Sequence, residues 1–100
     1  MQMYNPAHPG LLIADILENG NLSIGNSMSA LAKHIGIPVA TLTEVIAGKA
    51  PVTAYMALRL QDALGVEADL WLRLQVKRDL WVASRKRRKK VEPLVLERAA

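Results

Sequence analysis

The chain has 100 residues, 51% of them hydrophobic, enough for one small domain with a core. It has no Cys, which excludes a disulfide framework and a Cys-based metal site. Its net charge of +4 conceals a division: residues 85–90 read RKRRKK and carry six positive charges, so the remainder carries a net −2. In chain order, residues 1–7 lack periodicity and read as an arm. Pro9 suits the first position of a helix, because the N–H it lacks would have no partner there. Leu11, Leu12, Ile16 and Leu17 carry that helix on, and Asn19-Gly20 stop it. Residues 21–27 form a mostly polar loop, with Ser27 placed to cap the next helix.

Residues 28–49, MSALAKHIGIPVATLTEVIAGK, are the organising stretch. Leu31, Ala32 and Ile35 fall on one face of a short second helix, and Gly36 supplies a turn residue tolerant of positive φ. Ile37 plugs the turn, and Pro38 can start the third helix. Leu42, Val45 and Ile46 make that helix's inner face, and Gly48 ends it. Two short helices joined by a Gly-containing turn predict a helix-turn-helix, against the plainer alternative of a helical hairpin that only packs. The outward side of the third helix would hold Val39, Ala40, Thr41, Thr43, Glu44 and Ala47. In such a motif these residues face base edges in the major groove. Thr43 can offer a hydroxyl, Val39 and Ala40 can touch a thymine methyl, and Glu44 can accept from cytosine N4. Ser27 at the cap, Lys33 and Lys49 would sit near phosphates.

Thr53 reads as the cap of a fourth helix with Met56, Ala57, Leu60 and Leu64 on its inner stripe, ended by Gly65. A fifth helix begins near residues 67–69, whose acids suit a helix start. Leu70, Leu74 and Trp81 mark one of its sides, with Trp71 and Val82 adjacent. Leu72, Val76, Leu80 and Ala83 mark another. A helix apolar on more than one face must bury more than one. One side would cover the core and another would meet a second subunit in a two-fold dimer, with Trp71, Leu74, Trp81 and Val82 as the expected contact. The alternative is that both Trp belong to the core. Residues 1–84 then form the helix-turn-helix domain and residues 85–100 a basic tail. That tail is either solvated or a phosphate clamp on DNA. Residues 91–96, VEPLVL, form a short strand or dock on a partner.

Other chemistry finds little support. His8 and His34 lie far apart in sequence without neighbouring ligands, so no metal or cofactor is expected. Ser27, Ser29, His34 and Asp62 supply the letters of a hydrolase triad without a nucleophile elbow. There is no Gly-rich phosphate loop, and no enzyme is expected. No apolar run approaches the roughly 18 residues of a membrane helix. The first residues do not read as a signal peptide. The expectation is a soluble cytoplasmic protein.

Several motifs together resemble the HigA-type antitoxins of the lambda-repressor-like, Xre class. They are His8-Pro9-Gly10, LAKHIGIP at 31–38, GKAPVTAYMALRLQDALG at 48–65 and LWLRLQVKRDLW at 70–81. The resemblance covers about residues 6–83. It implies an all-α, five-helix dimer that binds a palindromic operator in its own promoter and blocks a RelE-like, mRNA-cleaving toxin. Carried over, the reading positions are Val39, Ala40, Thr43 and Glu44. Thr53, Met56, Ala57 and Leu60 match the family's fourth helix, and Trp71, Leu74, Gln75, Asp79 and Leu80 its fifth. Two reading helices about 34 Å apart would enter successive major grooves, which calls for a palindrome. Arg73 stands where the family commonly has Asn, the loop at 20–27 looks longer than usual, and RKRRKK is not a family signature. The toxins are generally basic, so the resemblance implies an acidic body facing the toxin and a tail facing DNA or solvent. Two further readings stay open. One is a stand-alone repressor without a toxin. The other is an interaction protein that neutralises a toxin and binds DNA weakly.

Overall fold

The computed structural model describes residues 6–97, which form five α-helices. The first helix, α1 (Pro9–Asn19), has Pro at its start and buries Pro9, Gly10 and Ile13. The second, α2 (Met28–Ile35), is capped by Ser27, whose Oγ accepts from Ala30 N at 3.0 Å. Gly36 ends it at φ 76°, in the left-handed region. The N–H groups of Gly36 and Ile37 both donate to Ala32 O at 3.0 Å, so the turn is closed by backbone alone. The third helix, α3 (Val39–Ile46), starts one residue later than Pro38 suggested. Pro38 is the N-cap, and its carbonyl accepts from Leu42 N at 3.1 Å.

The fourth helix, α4 (Ala54–Leu64), begins at Thr53, whose Oγ1 accepts from Met56 N at 3.2 Å, and ends at left-handed Gly65. The fifth, α5 (Ala68–Arg85), is the longest. The core joins all five helices: Ile13, Leu31, Ala32, Ile35, Leu42, Val45, Met56, Ala57, Leu60 and Trp71, with Val52 between α3 and α4. The periodic positions read from the sequence supply most of it, as one-face amphipathicity requires; Ile13 and Val52 are additions, Trp71 moves in from the expected dimer contact, and Leu11 is exposed. Ile46 lies half-buried at the rim.

Two close contacts fix how the helix-turn-helix is held. Gly10 lies so near α3 that a Cβ there would sit 2.0 Å from Val45 O. On the other side, Arg59 Nε of α4 donates to Ile35 O at 2.9 Å, tying down the end of α2. The loop between α1 and α2 is organised by Asn26. Its Nδ2 donates to Leu17 O and Gly20 O, and its Oδ1 accepts from Leu22 N.

The C-terminal segment differs from one of its expectations. Residues 91–96 form no strand, and Val91, Leu94, Val95 and Leu96 are all largely exposed. Pro93 lacks the N–H a ladder needs, and none of the described chain offers this segment an edge. Most of the expected N-terminal arm lies outside the described residues. Pro6, at its end, is held where its carbonyl accepts from Arg78 Nη1 of α5 at 3.2 Å.

Candidate nucleic-acid interface

The face of α3 opposite Leu42 and Val45 is open. Val39, Ala40, Thr43, Glu44 and Ala47 are exposed along one arc, while Thr41 is half-buried at its flank. The arc follows from the 100° step of the helix: these five positions span the side facing away from the two buried ones. Thr43 differs from the expectation of a free hydroxyl. Its Oγ1 donates to Val39 O at 2.8 Å, the i−4 bond open to Thr in a helix, and lies 2.9 Å from Met28 Sδ. The Thr43 hydroxyl is therefore engaged within the subunit. No Lys or Arg stands on this arc, and Glu44 is its one charged group.

The Met28–Thr43 contact places the N-terminal end of α2, with its Ser27 cap, beside the exposed face of α3. Such an end directs unpaired N–H groups outward and suits a phosphate. Lys33 is exposed. It lines a shallow hollow with Ile24, Ala30 and His34. Lys49 stands just past the end of α3, where the backbone closes through Lys49 N and Ala50 N donating to Glu44 O at 2.8 and 3.2 Å.

Lys49 also lines a cleft of about 420 Å³ between the start of α1, the α3–α4 connection and the C-terminal half of α5. His8, Gly48, Gln75, Arg78 and Lys86 share its walls. Gln75 is engaged twice: Oε1 accepts from Val52 N at 2.8 Å, and Nε2 donates to Asp79 Oδ1 at 2.9 Å. His8 packs its ring against Gly48, and its Nδ1 is buried without a hydrogen-bond partner among the described residues. Desolvation lowers the His8 pKa from its ordinary 6.5, and the Arg78 guanidinium lowers it further. The cleft joins residues 8, 49 and 86, a grouping that no local pattern signals.

The expected dimer contact needs a correction. Trp71 is fully buried in its own subunit, and its Nε1 donates to Val66 O at 3.0 Å, so it cannot face a partner. Burial of so large a ring is favoured where its N–H finds an acceptor, and the loop before α5 supplies one. Val82 lines the cleft near His8. Trp81 is half-buried, with the Arg78 and Arg85 guanidinium carbons 5.1 and 5.0 Å from its ring centroid. Leu74 is half-buried too. The apolar residues that α5 leaves most exposed are Val76 (54%) and Leu80 (58%), on the stripe shared with Leu72 and Ala83.

Comparison with known proteins agrees with this geometry. The helix-turn-helix (HTH_3) family model matches residues 13–71. Virulence-associated protein A′ of Dichelobacter nodosus is 39% identical over 80 residues, which cover 79% of this chain and 66%, just under two thirds, of that protein. An addiction-module antidote of the HigA family from Coxiella burnetii superimposes with a TM-score of 0.67 at 34% identity, covering 80% of this chain and 84% of its own. The antitoxin GraA matches at 34% identity and TM-score 0.68 over 81% of this chain and 84% of its own. GraA in complex with its operator matches at 27% identity and TM-score 0.66 over 91% and 98%. The expectation of a non-enzymatic, all-α DNA-binding fold agrees with these matches. No helix among the described residues is long and apolar enough to cross a membrane. The chain belongs to the Xre-type helix-turn-helix family and is similar to the HigA-type antitoxins within it.

Proposed function

We propose that this chain is an antitoxin that binds its own operator as a two-fold dimer and neutralises a RelE-like, mRNA-cleaving toxin. The observation that carries the DNA half is the open arc of Val39, Ala40, Thr43, Glu44 and Ala47, with the capped end of α2 beside it. This arrangement directs side chains to base edges and backbone N–H groups to phosphates. A relative at 27% identity has been solved on its operator, which favours the same use of the face here. The toxin half is favoured by the likeness to addiction-module antidotes and by the net −2 outside the basic run, which suits a basic partner. The dimer is supported by the α5 stripe of Leu72, Val76, Leu80 and Ala83, two of whose members stand more than half exposed.

The test is co-expression with the reading frame beside it in the genome, with the tag on this chain alone. A stoichiometric complex whose freed partner cleaves mRNA supports the antitoxin. Purification of this chain alone as a DNA-binding dimer beside a harmless neighbour leaves a repressor without a toxin. In the same preparation, Thr43→Ala with Glu44→Ala should abolish preference for the promoter over random duplex while the partner stays bound. Preference that survives the double substitution removes α3 as the reader.

A further inference from the structure

We infer that residues 86–90 form a phosphate-gripping arm for duplex DNA, delivered by α5 to the C-terminal side of α3. This rests on the operator-binding reading above and extends it to a segment outside the helix-turn-helix. The placement comes from the cleft, where Lys86 shares walls with Gly48 and Lys49, the residues that follow the end of α3. The basic run therefore starts at the edge of the reading element, although it lies some forty residues further along the chain.

Three further observations point to the same ligand. First, affinity for a duplex comes largely from cations placed against phosphates. The exposed arc of α3 has no cation, and Glu44 makes its charge negative. A chain reading DNA with this arc needs its cations elsewhere. Second, Lys86, Arg87, Arg88, Lys89 and Lys90 are all exposed, and none makes an ion pair among the described residues. Arg85 differs: it is held over Trp81 at the end of α5 and so anchors the run at its root. Four extended residues beyond Lys86 reach about 13 Å, roughly four base-pair rises along the duplex. Third, the match to operator-bound GraA takes in 91% of this chain. A span of that length leaves nine residues out, so it necessarily runs through the basic segment. The match to antitoxin GraA covers 81%.

The arm would grip phosphates and read no sequence. The alternative target for a basic run followed by apolar residues is an anionic membrane surface, and the experiment separates the two. Arg87, Arg88, Lys89 and Lys90 are replaced together by Gln, leaving the apolar segment and Arg85 in place. Binding to the promoter duplex and to a random duplex is measured across salt concentrations, and binding to vesicles containing anionic lipid is measured alongside. The expected result is at least about a tenfold loss of affinity for both duplexes at low salt. The slope of log affinity against log salt should flatten by up to about 3.6 per protomer, or 0.9 for each lost phosphate contact. Preference for the promoter should be unchanged. A companion variant with Arg87→Lys and Arg88→Lys should bind like the parent. An unchanged slope overturns the arm while leaving operator binding by α3 intact. A defect confined to vesicles overturns it as well. Failure of the parent protein to bind either duplex overturns both the arm and the operator reading.

Discussion

At the scale of single residues, His8 shows how one side chain can serve packing and respond to pH. It precedes Pro9, caps α1 without a side-chain bond, and fills the space over Gly48, where a Cβ would meet its ring at 2.7 Å. Its pKa in the fold lies below 6.5, first because burial penalises the charged ring and then because Arg78 repels it. The unfolded chain therefore binds the proton more readily. The stability that neutral His8 contributes is fully present above pH 6.5 and is lost as pH falls through the lower folded value. Melting temperature should fall on acidification from pH 7.5 towards 5, and His8→Gln should flatten that dependence. An identical pH dependence in both proteins would remove His8 as its source. Thr43 makes a related point about sites. Its hydroxyl proton is directed to Val39 O and is not offered outward. The residue type alone does not distinguish these roles.

At the scale of elements, the helix-turn-helix works because it is clamped from two sides. Arg59 of α4 holds the end of α2, and α1 crosses α3 with Gly10 as the point of approach. The clash facing a Cβ at residue 10 involves the backbone carbonyl of Val45 and the Cα of Ile46 at 2.8 Å. No rotamer change relieves it, so α1 and α3 must move apart. Gly10→Ala should then cost about 3 kcal/mol or more, the upper end of overpacking. In a domain of this size that corresponds to a drop in Tm of roughly 12–24 °C. Thermal unfolding followed by far-UV circular dichroism checks this. A change under about 3 °C would show that the crossing is not as tight as the geometry requires. The reading helix is positioned by the same contact, so a surviving Gly10→Ala protein should also bind its promoter more weakly.

At the scale of the whole molecule, α5 serves several neighbours at once. Trp71 plugs the core, Gln75 ties the α3–α4 connection, and Arg78 holds Pro6. Arg85 closes over Trp81, and the helix then leads into the basic run. On its remaining apolar stripe Leu72 packs against the core, while Val76 and Leu80 are little covered among the described residues. Val76 and Leu80 are about half exposed, so covering them on both copies of a two-fold pair would stabilise the dimer by about 2–4 kcal/mol. Val76→Thr with Leu80→Gln should weaken the dimer about 30- to 1000-fold, read by sedimentation equilibrium, with the monomer fold intact. Operator affinity should fall with it, since one reading helix cannot span two half-sites. A dimer that persists at the parent's affinity would place the interface elsewhere, with exposed Tyr55 and Leu58 of α4 the next residues to replace.

The number and order of the helices, the Ser27 and Thr53 caps and most of the core were legible in the residue pattern. Those features are local: Ser27 and Thr53 cap because the next turn lies within reach, and Leu31, Ile35, Leu42 and Val45 face inward because the helix repeat puts them on one side. The exposed arc of α3 was legible for the same reason, with Thr41 falling short because it sits at the arc's edge. Which side of α5 faces inward was settled by packing. Periodicity marked two apolar sides and could not rank them, because the choice depends on the angle at which α4 and α1 cross that helix. That angle put Trp71 in the core rather than against a partner, and it left Val76 and Leu80 outside. It also brought Lys86 beside Lys49, since α5 is long enough to carry the chain back to the end of α3. Contacts between residues this far apart in the chain depend on how helices pack, and a one-dimensional pattern holds no record of that.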